Sequence, residues 1–271
     1  MSGIRFVKMN GAGNDFAVID NMRGRLKFSA KEVADICAYK FGIGADGLLL
    51  LEPAKGYDFY MRYYNSDGSE AEMCGNAARC VALFSRKTGI SGKKISFLAK
   101  DGPHEAELTG PGTVKVKMAD PSGLKPGITV KAGGRVFKGG FVNTGVPHFV
   151  TMVNGLERFD VRRYGRAIRF HPKFAPKGTN AMFVEAAGKS SFAIRSYERG
   201  VEDETLACGT GATAAAVMAA AVKGTASPVV LKAPGGKLKV SFRRSGSRFS
   251  DVYLEGPVEE VFEGRMIKRI K

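Results

Sequence analysis

The chain has 271 residues, of which 42 are Lys or Arg and 26 are Asp or Glu, so its formal net charge is +16. With 44 % hydrophobic and 25 % charged residues it has the composition of a globular protein, which excludes a disordered chain, and its length allows one large domain or two smaller ones. It contains no apolar run of about 18 residues, so we expect no transmembrane helix. Met1 to Arg5 does not resemble the start of a signal peptide, and four cysteines are too few for a disulfide scaffold. We therefore expect a cytoplasmic protein.

The predicted elements are strands followed by helices and further strands. In the first half, the strand-like segments are residues 6–19, 47–51, 59–64, 94–98 and 114–118. An outer amphipathic helix is predicted over residues 30–39, with Ser29 as its N-cap, and a second helix over residues 75–87, whose apolar residues form one face. In the second half, residues 209–222 are nearly all Ala, Val, Met and Thr, which predicts a helix that is apolar on every side and enclosed by its own sheet.

The sequence repeats itself once. Cys74-Gly75 opens one predicted helix, and Cys208-Gly209, 134 residues later, opens the other. Three further pairs keep an offset of 133 or 134 residues: Arg62–Asn65 with Arg195–Glu198, Gly44–Gly47 with Gly178–Ala181, and Asp15–Val18 with His148–Thr151. The repeat predicts an α+β fold of two pseudo-symmetric halves, each a curled, mostly antiparallel sheet around a central helix. We place the halves at residues 1–120, rejoined by 262–271, and at 121–261, with the turn at Asp120 to Gly123 as the boundary.

The two repeated cysteines are the strongest candidates for chemistry. A cysteine at a helix N-terminus lies at the positive end of the helix dipole, which lowers the pKa of its thiol. The glycine that follows leaves room for an anion to reach the first N–H groups of the helix. If the two helix starts face each other, one thiol can remove a proton from a carbon while the other returns one to its opposite side. Cys37 and Cys80 lie inside predicted helices instead, so we expect them to be structural.

Other readings of these residues stay open on the sequence alone. Cys74 and Cys208 would also suit a thiol–disulfide redox pair, although no CxxC motif is present. A zinc site is not predicted, because the three histidines show no ligand spacing with the cysteines. The positive charge suggests nucleic acid as a partner, but the basic stretches at 158–173 and 232–248 carry no RNP, zinc-finger or helix-turn-helix pattern, so we expect none.

Three long motifs resemble those of the diaminopimelate epimerase family, and the resemblance covers nearly the whole chain. They run from Met9 to Phe16 (MNGAGNDF), from Asn65 to Cys80 (NSDGSEAEMCGNAARC), and from Glu198 to Gly200 (ERG) with Glu204 to Gly211 (ETLACGTG). The resemblance implies a cofactor-independent isomerase that interconverts LL- and meso-diaminopimelate on the route to lysine and peptidoglycan. It also implies a small diamino dicarboxylic acid as substrate and a possible homodimer, with no metal and no membrane partner.

The resemblance assigns roles to individual residues. Cys74 and Cys208 would be the two acid/base residues, one a thiolate and the other a thiol. The N–H groups of Gly75, Asn76, Gly209 and Thr210 would hold the reacting α-carboxylate, which agrees with the dipole argument. The family's substrate-binding positions are matched by Asn14, Asn65, Asn180, Glu198 and Arg199, and its positions near the cysteines, which orient or tune them, by His148 and Glu198. The fork of Arg199 suits the distal carboxylate.

Each of these binding residues has an ordinary structural reading beside the functional one. Asn14 and Asn65 could be turn formers, Glu198 and Arg199 a simple ion pair, and His148 a hydrogen-bonded core histidine. The chain also departs from the family at Gly47, where many relatives have glutamine, and at Val146, where many have asparagine. Both positions lie near the substrate in the family, so a racemase of the same fold acting on another amino acid is the nearest alternative. The redox protein is a more remote one.

Overall fold

This structure, a computed structural model, describes residues 3–267 and divides into two compact units. The first unit comprises residues 1–116 and 256–271, and the second comprises residues 117–255. Residues 256–261, predicted to lie in the second half, fall in the first unit, where Glu259 begins a strand that pairs with the first strand of the chain, from Asn10–Glu259 to Ile4–Met266. Residues 268–271 of the segment expected to rejoin the first half lie outside the described residues.

The first unit contains eight strands and two helices within the described residues. The strands are β1 (Ile4–Gly11), β2 (Asn14–Asp20), β3 (Gly47–Glu52), β4 (Phe59–Asn65), β5 (Lys94–Ala99), β6 (Gly102–Gly110), β7 (Thr113–Lys117, which reaches the unit boundary) and β17 (Glu259–Met266). The helices are α1 (Ala30–Cys37) and α2 (Gly75–Lys87). The pairing is antiparallel for β17–β1, β1–β2, β3–β4, β5–β6 and β6–β7, and parallel for β2–β3 and β4–β5.

The second unit follows the same plan. Its strands are β8 (Ser122–Ala132), β9 (Arg135–Asn143), β10 (Pro147–Met152), β11 (Asn180–Gly188), β12 (Ser191–Glu198), β13 (Asp203–Thr205), β14 (Val229–Ala233), β15 (Gly236–Ser245) and β16 (Arg248–Pro257). Its helices are α3 (Val161–Arg169) and α4 (Gly209–Lys223). As in the first unit, an antiparallel run, here β8–β9–β10, is followed by a parallel pair, β10–β11, and an antiparallel pair, β11–β12.

A central helix fills the concave side of each sheet. Helix α2 is buried from Gly75 to Ser85 and contacts β1, β2, β3, β4 and β6. Helix α4 is buried along most of its length and contacts β8 to β11 as well as β14 and β15. Small side chains let the sheet come close: a Cβ on Gly140 in β9 would lie 2.5 Å from the Met218 side chain of α4. The predicted α+β class, with a sheet curled around one helix in each half, is confirmed.

Local expectations differ from the structure at a few positions. The predicted strand at 6–19 is two strands, because Ala12 and Gly13 adopt positive φ and turn the chain into a hairpin. Ser29 caps α1 as expected, and Glu32 completes a capping box. The basic stretch around 158–173 contains α3, whose N-cap is Asp160. Among residues 3–267, no helix is long and apolar enough to cross a membrane.

Candidate active site

Both central helices begin at a cysteine in extended conformation. Cys74 is the N-cap of α2 (φ −110°, ψ 131°) and Cys208 is the N-cap of α4 (φ −111°, ψ 112°). In each helix the cysteine carbonyl accepts the first intrahelical bond, from Ala78 N and Ala212 N. The N–H groups that precede this first bond point out of the helix start toward the thiol, as Gly211 N does in donating to Cys208 Sγ. The two helix starts therefore share one backbone design, as the repeat predicts.

In the first unit, the strand register brings the predicted polar residues to one end of the sheet. Phe16 of β2 pairs with Gly47 of β3, and Gly47 pairs with Asn65 of β4, so Asn14 and Asn65 lie at neighbouring strand ends. The β1–β2 hairpin also touches the start of α2, since a Cβ on Gly11 would lie 2.8 Å from the carbonyl oxygen of Asn76. The β1–β2 hairpin, and with it Asn14, therefore lies at the start of α2, and the register places Asn65 two strands away.

The asparagine side chains are held by specific partners. Asn14 Nδ2 donates to Asp46 Oδ2 at 2.7 Å, which leaves the carbonyl oxygen of the amide as an acceptor. The hairpin turn itself uses Asn10, whose Oδ1 accepts from Gly13 N at 2.6 Å, so Asn14 is not the turn former. Asn65 does belong to a turn: its carbonyl accepts from Gly68 N and its Nδ2 donates to Ser69 Oγ at 3.1 Å.

The sequence analysis did not single out Arg79, which the structure places one turn into α2. Its side chain is 0 % exposed, whereas Cys74, five residues earlier in the chain, is partly exposed. Its Nη1 donates to Gly75 O at 3.1 Å and its Nη2 to Asn76 Oδ1 at 2.9 Å. Burial lowers the pKa of the guanidinium, and the charges of Cys80 and Cys74 oppose that shift. The signal that could have indicated Arg79 is its position inside a helix predicted to be enclosed by its sheet, where a charged side chain is unusual.

In the second unit, Cys208 is a buried thiol with close polar neighbours. Gly211 N donates to its Sγ at 3.3 Å, and the Thr210 hydroxyl lies 3.5 Å from the same sulfur. The thiol also hydrogen-bonds the Glu198 carboxylate. Burial, followed by the charge of Glu198, raises the pKa of Cys208 well above its ordinary value. The expectation that the helix dipole lowers this pKa is wrong for Cys208, because desolvation and a neighbouring anion outweigh the donated N–H bond.

Glu198 occupies the end of β12, where it bonds two residues of the following segment. Thr205 Oγ1 donates to its Oε1 at 2.5 Å, and Cys208 is its second partner. Burial raises the pKa of Glu198, and these two hydrogen bonds lower it in part. The structure thus places Glu198 beside the thiol, as expected for a residue that orients or tunes Cys208. Thr205 is a member of this group that the sequence analysis quoted only as part of a motif.

His148 is fully buried in β10, next to Asn180 of β11 in the parallel register. Neither of its ring nitrogens has a hydrogen-bond partner among the described residues, so it is not a hydrogen-bonded core histidine. Burial, with a smaller contribution from the charge of Arg199, lowers the pKa of His148 from 6.5 to about 3. The ring is therefore neutral at physiological pH, with one nitrogen able to donate and the other able to accept.

Asn180 connects two strands of the second unit. It is 3 % exposed, its Nδ2 donates to Pro147 O at 3.1 Å, and its Oδ1 accepts from Arg199 N at 2.7 Å. The Arg199 guanidinium, by contrast, makes a long contact of 3.4 Å with Lys177 O. Both ends of the Asn180 amide are thus bonded to protein, and the amide fixes the backbone from which Arg199 extends.

Cys37 and Cys80 are unsuited to acid/base chemistry. Cys37 is the last residue of α1 and Cys80 is a fully buried residue of α2. Burial raises the pKa of each thiol from 9.0 to about 12. Both cysteines therefore stay protonated at neutral pH and pack as small apolar side chains, as the sequence analysis expected.

Known proteins share both the sequence and the fold. The family model described as "Diaminopimelate epimerase" matches residues 6–124 and 140–261. A diaminopimelate epimerase of Flavobacterium psychrophilum is 41 % identical over 265 residues, covering 96 % of this chain and 99 % of the relative. A diaminopimelate epimerase of Aquifex aeolicus is 43 % identical over 282 residues, covering 98 % of this chain and 99 % of the relative.

Solved structures with little sequence identity have the same fold. A phenazine biosynthesis protein of the PhzF family from Bacillus anthracis superposes with a TM-score of 0.78 at 14 % identity, covering 99 % of this chain and 100 % of the other. A hydroxyproline epimerase from Agrobacterium vitis superposes with a TM-score of 0.71 at 14 % identity, covering 98 % and 91 %. Sequence likeness over nearly the full length, together with a cysteine at the start of each central helix, shows that this chain belongs to the diaminopimelate epimerase family.

Proposed function

We propose that this protein is an isomerase that interconverts LL- and meso-diaminopimelate without a cofactor, on the route to lysine and peptidoglycan. The observation that carries the proposal is the pair of cysteines, Cys74 and Cys208, at the N-caps of the two central helices. Its second support is family membership, with relatives named diaminopimelate epimerase matching nearly the whole chain. Cys37 and Cys80 do not suit the reaction, because neither begins a central helix: Cys37 ends α1 and Cys80 is buried inside α2.

The proposed reaction uses two bases on opposite faces of one α-carbon. A cysteine thiolate takes the α-proton, and the electrons of the C–H bond form a carbanion that is delocalised into the α-carboxylate. The thiol of the other cysteine then donates its proton to the opposite face and becomes the thiolate, so atoms and charge balance. The N–H groups of Gly75, Asn76, Gly209 and Thr210 hold the α-carboxylate and stabilise the charge that develops on it.

The remaining residues bind and orient. Asn14 and Asn65 offer amide groups at the strand ends near Cys74, and Arg199 pairs with the distal carboxylate. Glu198 and neutral His148 orient the groups around Cys208. Because Asn180 holds the backbone of Arg199, its contribution to substrate binding includes the placement of that side chain.

The test is α-hydrogen exchange in deuterated water, with LL-diaminopimelate and no added pyridoxal phosphate. We expect deuterium incorporation with formation of the meso isomer, and near-complete loss of turnover in Cys74→Ser and Cys208→Ser. Cys37→Ala is the matched control and should retain activity. Normal turnover in both serine variants would refute the two-base mechanism. Exchange of another amino acid, with none of diaminopimelate, would instead favour a racemase of the same fold.

A second test addresses the redox alternative. If Cys74 and Cys208 are the acid and base, any oxidant that consumes their thiols should inactivate the enzyme. A reductant that converts the resulting disulfides or sulfenic acids back to thiols should reverse the loss. Activation by oxidation would support the redox protein. The need for two reduced thiols also supports a cytoplasmic location, where thiols are kept reduced.

We also propose that the protein is a homodimer that associates through an apolar groove of the first unit. The groove lies between α1 and β17 and has a volume of about 690 Å³; its apolar side chains include Phe41, Phe262 and Ile267, and charged ones such as Glu32 and Arg265 also line it. Phe41 is 82 % exposed and Ile267 86 % exposed, and contiguous apolar surface of this kind is typical of an interface. Sedimentation should give a dimer for the wild type and a monomer for Phe41→Asp; a monomeric wild type would refute the proposal.

A further inference from the structure

Arg79 carries a positive charge into the interior of the first unit, and no carboxylate among residues 3–267 forms an ion pair with it. Its side chain is 0 % exposed, both of its hydrogen-bond acceptors are neutral, and its Nε has no partner among the described residues. Arginine is rarely buried completely unless it is paired, because an isolated charge loses its hydration. Such a cost points to an anion that is present when the enzyme works.

We propose that Arg79 is a positioning residue that stabilises the thiolate of Cys74, so that Cys74 is the base and Cys208 the acid in the substrate-free enzyme. The inference rests on the proposed function, in which one cysteine is a thiolate and the other a thiol. It assigns those two states to particular residues.

The charged neighbours of Arg79 support this assignment. The two hydrogen bonds of Arg79 hold its guanidinium against Gly75 and Asn76, the two residues that follow Cys74, while the other nearby thiol, Cys80, stays protonated because burial raises its pKa to about 12. Cys74 is therefore the one of the two that can supply the negative charge. It is also the more accessible thiol, since Cys74 is partly exposed and Cys80 is buried.

The carboxylates on neighbouring elements already have donors of their own. Asp101, at the turn between β5 and β6, accepts from Met73 N at 3.1 Å and lies 3.1 Å from His104 Nε2. On β2, Asp15 pairs with the Lys8 ammonium at 2.7 Å. Neither carboxylate is an ion-pair partner of Arg79. The thiolate of Cys74, at the start of the same helix, is therefore the anion that would balance the positive charge of Arg79.

The internal repeat shows that the fold itself does not require this charge. Arg79 corresponds, at an offset of 134, to Thr213 of α4. Thr213 Oγ1 donates to Gly209 O at 3.0 Å, just as Arg79 donates to Gly75 O. A neutral hydroxyl thus satisfies the same helix carbonyl in the second unit, and the positive charge of Arg79 is an addition specific to the Cys74 helix.

The same comparison gives opposite charges to the two thiol environments. Glu198, which hydrogen-bonds Cys208, corresponds at an offset of 133 to the neutral Asn65. The first helix start therefore has a buried cation one turn into its helix, and its nearby carboxylate, Asp101, is bonded to Met73 N and His104; the second has the Glu198 carboxylate beside its thiol and a neutral hydroxyl in place of the arginine. A cation favours a thiolate, and a carboxylate favours a thiol that can donate a hydrogen bond to it. The asymmetry sets the direction of the first proton transfer.

The inference is tested by alkylating each thiol with iodoacetamide across a pH series, in the absence of substrate, and locating the products by peptide mass spectrometry. The pH at which the alkylation rate of a thiol is half-maximal, its midpoint, reports its ionisation, whereas the maximal rate at high pH depends on how accessible the thiol is. In the wild type, we expect Cys74 to be alkylated at a lower pH than Cys208. An equal or reversed order of the two midpoints would overturn the assignment, whatever any variant does.

Variants then isolate Arg79. Arg79→Met keeps the length of the side chain and removes its charge, so the Cys74 midpoint should rise and alkylation at pH 7 should slow about tenfold, as for a shift of about one pH unit. Arg79→Lys should restore most of the wild-type midpoint, and Thr213→Val, which removes the equivalent hydrogen bond of α4 without changing a charge, should leave it unchanged. A folded Arg79→Met protein with an unshifted Cys74 midpoint would show that Arg79 is only structural.

The alkylation assay also separates this inference from the proposed function. It contains no diaminopimelate, so the order of the two midpoints is measured whether or not the enzyme turns over. A wild type that exchanges no substrate refutes the function, whereas exchange together with a reversed order of midpoints refutes the inference alone.

Discussion

Replacement of Asn180 by alanine should weaken substrate binding through Arg199 more than it slows the chemical step. The amide of Asn180 is 3 % exposed and joins Pro147 O to Arg199 N with bonds of 3.1 and 2.7 Å. Alanine removes both bonds and frees the backbone that carries the guanidinium. If Arg199 holds the distal carboxylate equally in the ground state and the transition state, its misplacement raises KM and leaves kcat nearly unchanged.

The size of the effect follows from the two bonds. A hydrogen bond in a folded protein contributes a net ~0.5–1.5 kcal/mol, so losing both costs about 1–3 kcal/mol. If all of that loss appeared in substrate binding, KM would rise roughly 5- to 150-fold, which is an upper bound because part of it destabilises the free enzyme. The assay is the rate of α-hydrogen exchange over a range of diaminopimelate concentrations, with the thermal unfolding midpoint measured in parallel.

Asn21→Ala is the matched control. Asn21 is also 3 % exposed, and its amide bonds the backbone of Leu26 with two contacts of 2.9 Å. We expect a similar loss of stability with no change in KM. A KM that stays unchanged in Asn180→Ala while its stability falls would refute the reasoning. An Asn180→Ala effect that persists undiminished in an Arg199→Ala background would show that Asn180 acts on the substrate directly rather than through Arg199.

Two further predictions concern Glu198 and Gly47. In Thr205→Val the Glu198 carboxylate loses its 2.5 Å donor, so the pKa of Glu198 rises further. Because the reaction needs the ionised carboxylate, the loss of activity on lowering the pH should begin at a higher pH than in the wild type. Thr205→Ser should keep the wild-type profile, and an unshifted acid limb in the valine variant would contradict this. In Gly47→Gln, which introduces the residue that the family resemblance leads one to expect there, the new Cβ would lie 2.6 Å from Tyr64 O. We therefore expect a loss of ~1–3 kcal/mol in the free energy of unfolding and no gain in exchange rate. An equally stable and more active variant would refute the steric argument.

Much of the architecture could be predicted because its signals are local. Helix α2 was predicted over residues 75–87 and the structure has the same bounds, since apolar spacing, the glycine after Cys74 and the end of the pattern all lie within one segment. The repeat extended that reading to α4, which has little amphipathic pattern of its own. The motif around each cysteine then identified the family before any geometry was known.

Local signals failed where a strand's end depends on its partners. Residues 6–19 read as one strand, because the backbone turn at Ala12 and Gly13 follows from a pairing between β1 and β2 that the apolar pattern does not encode. The prediction likewise put the start of β17 with the second half, whereas its partner β1, about 250 residues earlier in the chain, brings it to the first unit.

The sequence by itself determined which thiols begin helices, and the tertiary structure decided what their surroundings do to them. The helix dipole belongs to the helix that a cysteine caps, so it could be assigned to Cys74 and Cys208 from their positions alone. Desolvation and neighbouring charges are sums over groups brought together by folding. Together they raise the pKa of Cys208 beside Glu198, and the desolvation that comes with burial lowers the pKa of the Arg79 guanidinium. The repeat predicted two equivalent helix starts, and the packing of each unit made them electrostatically different.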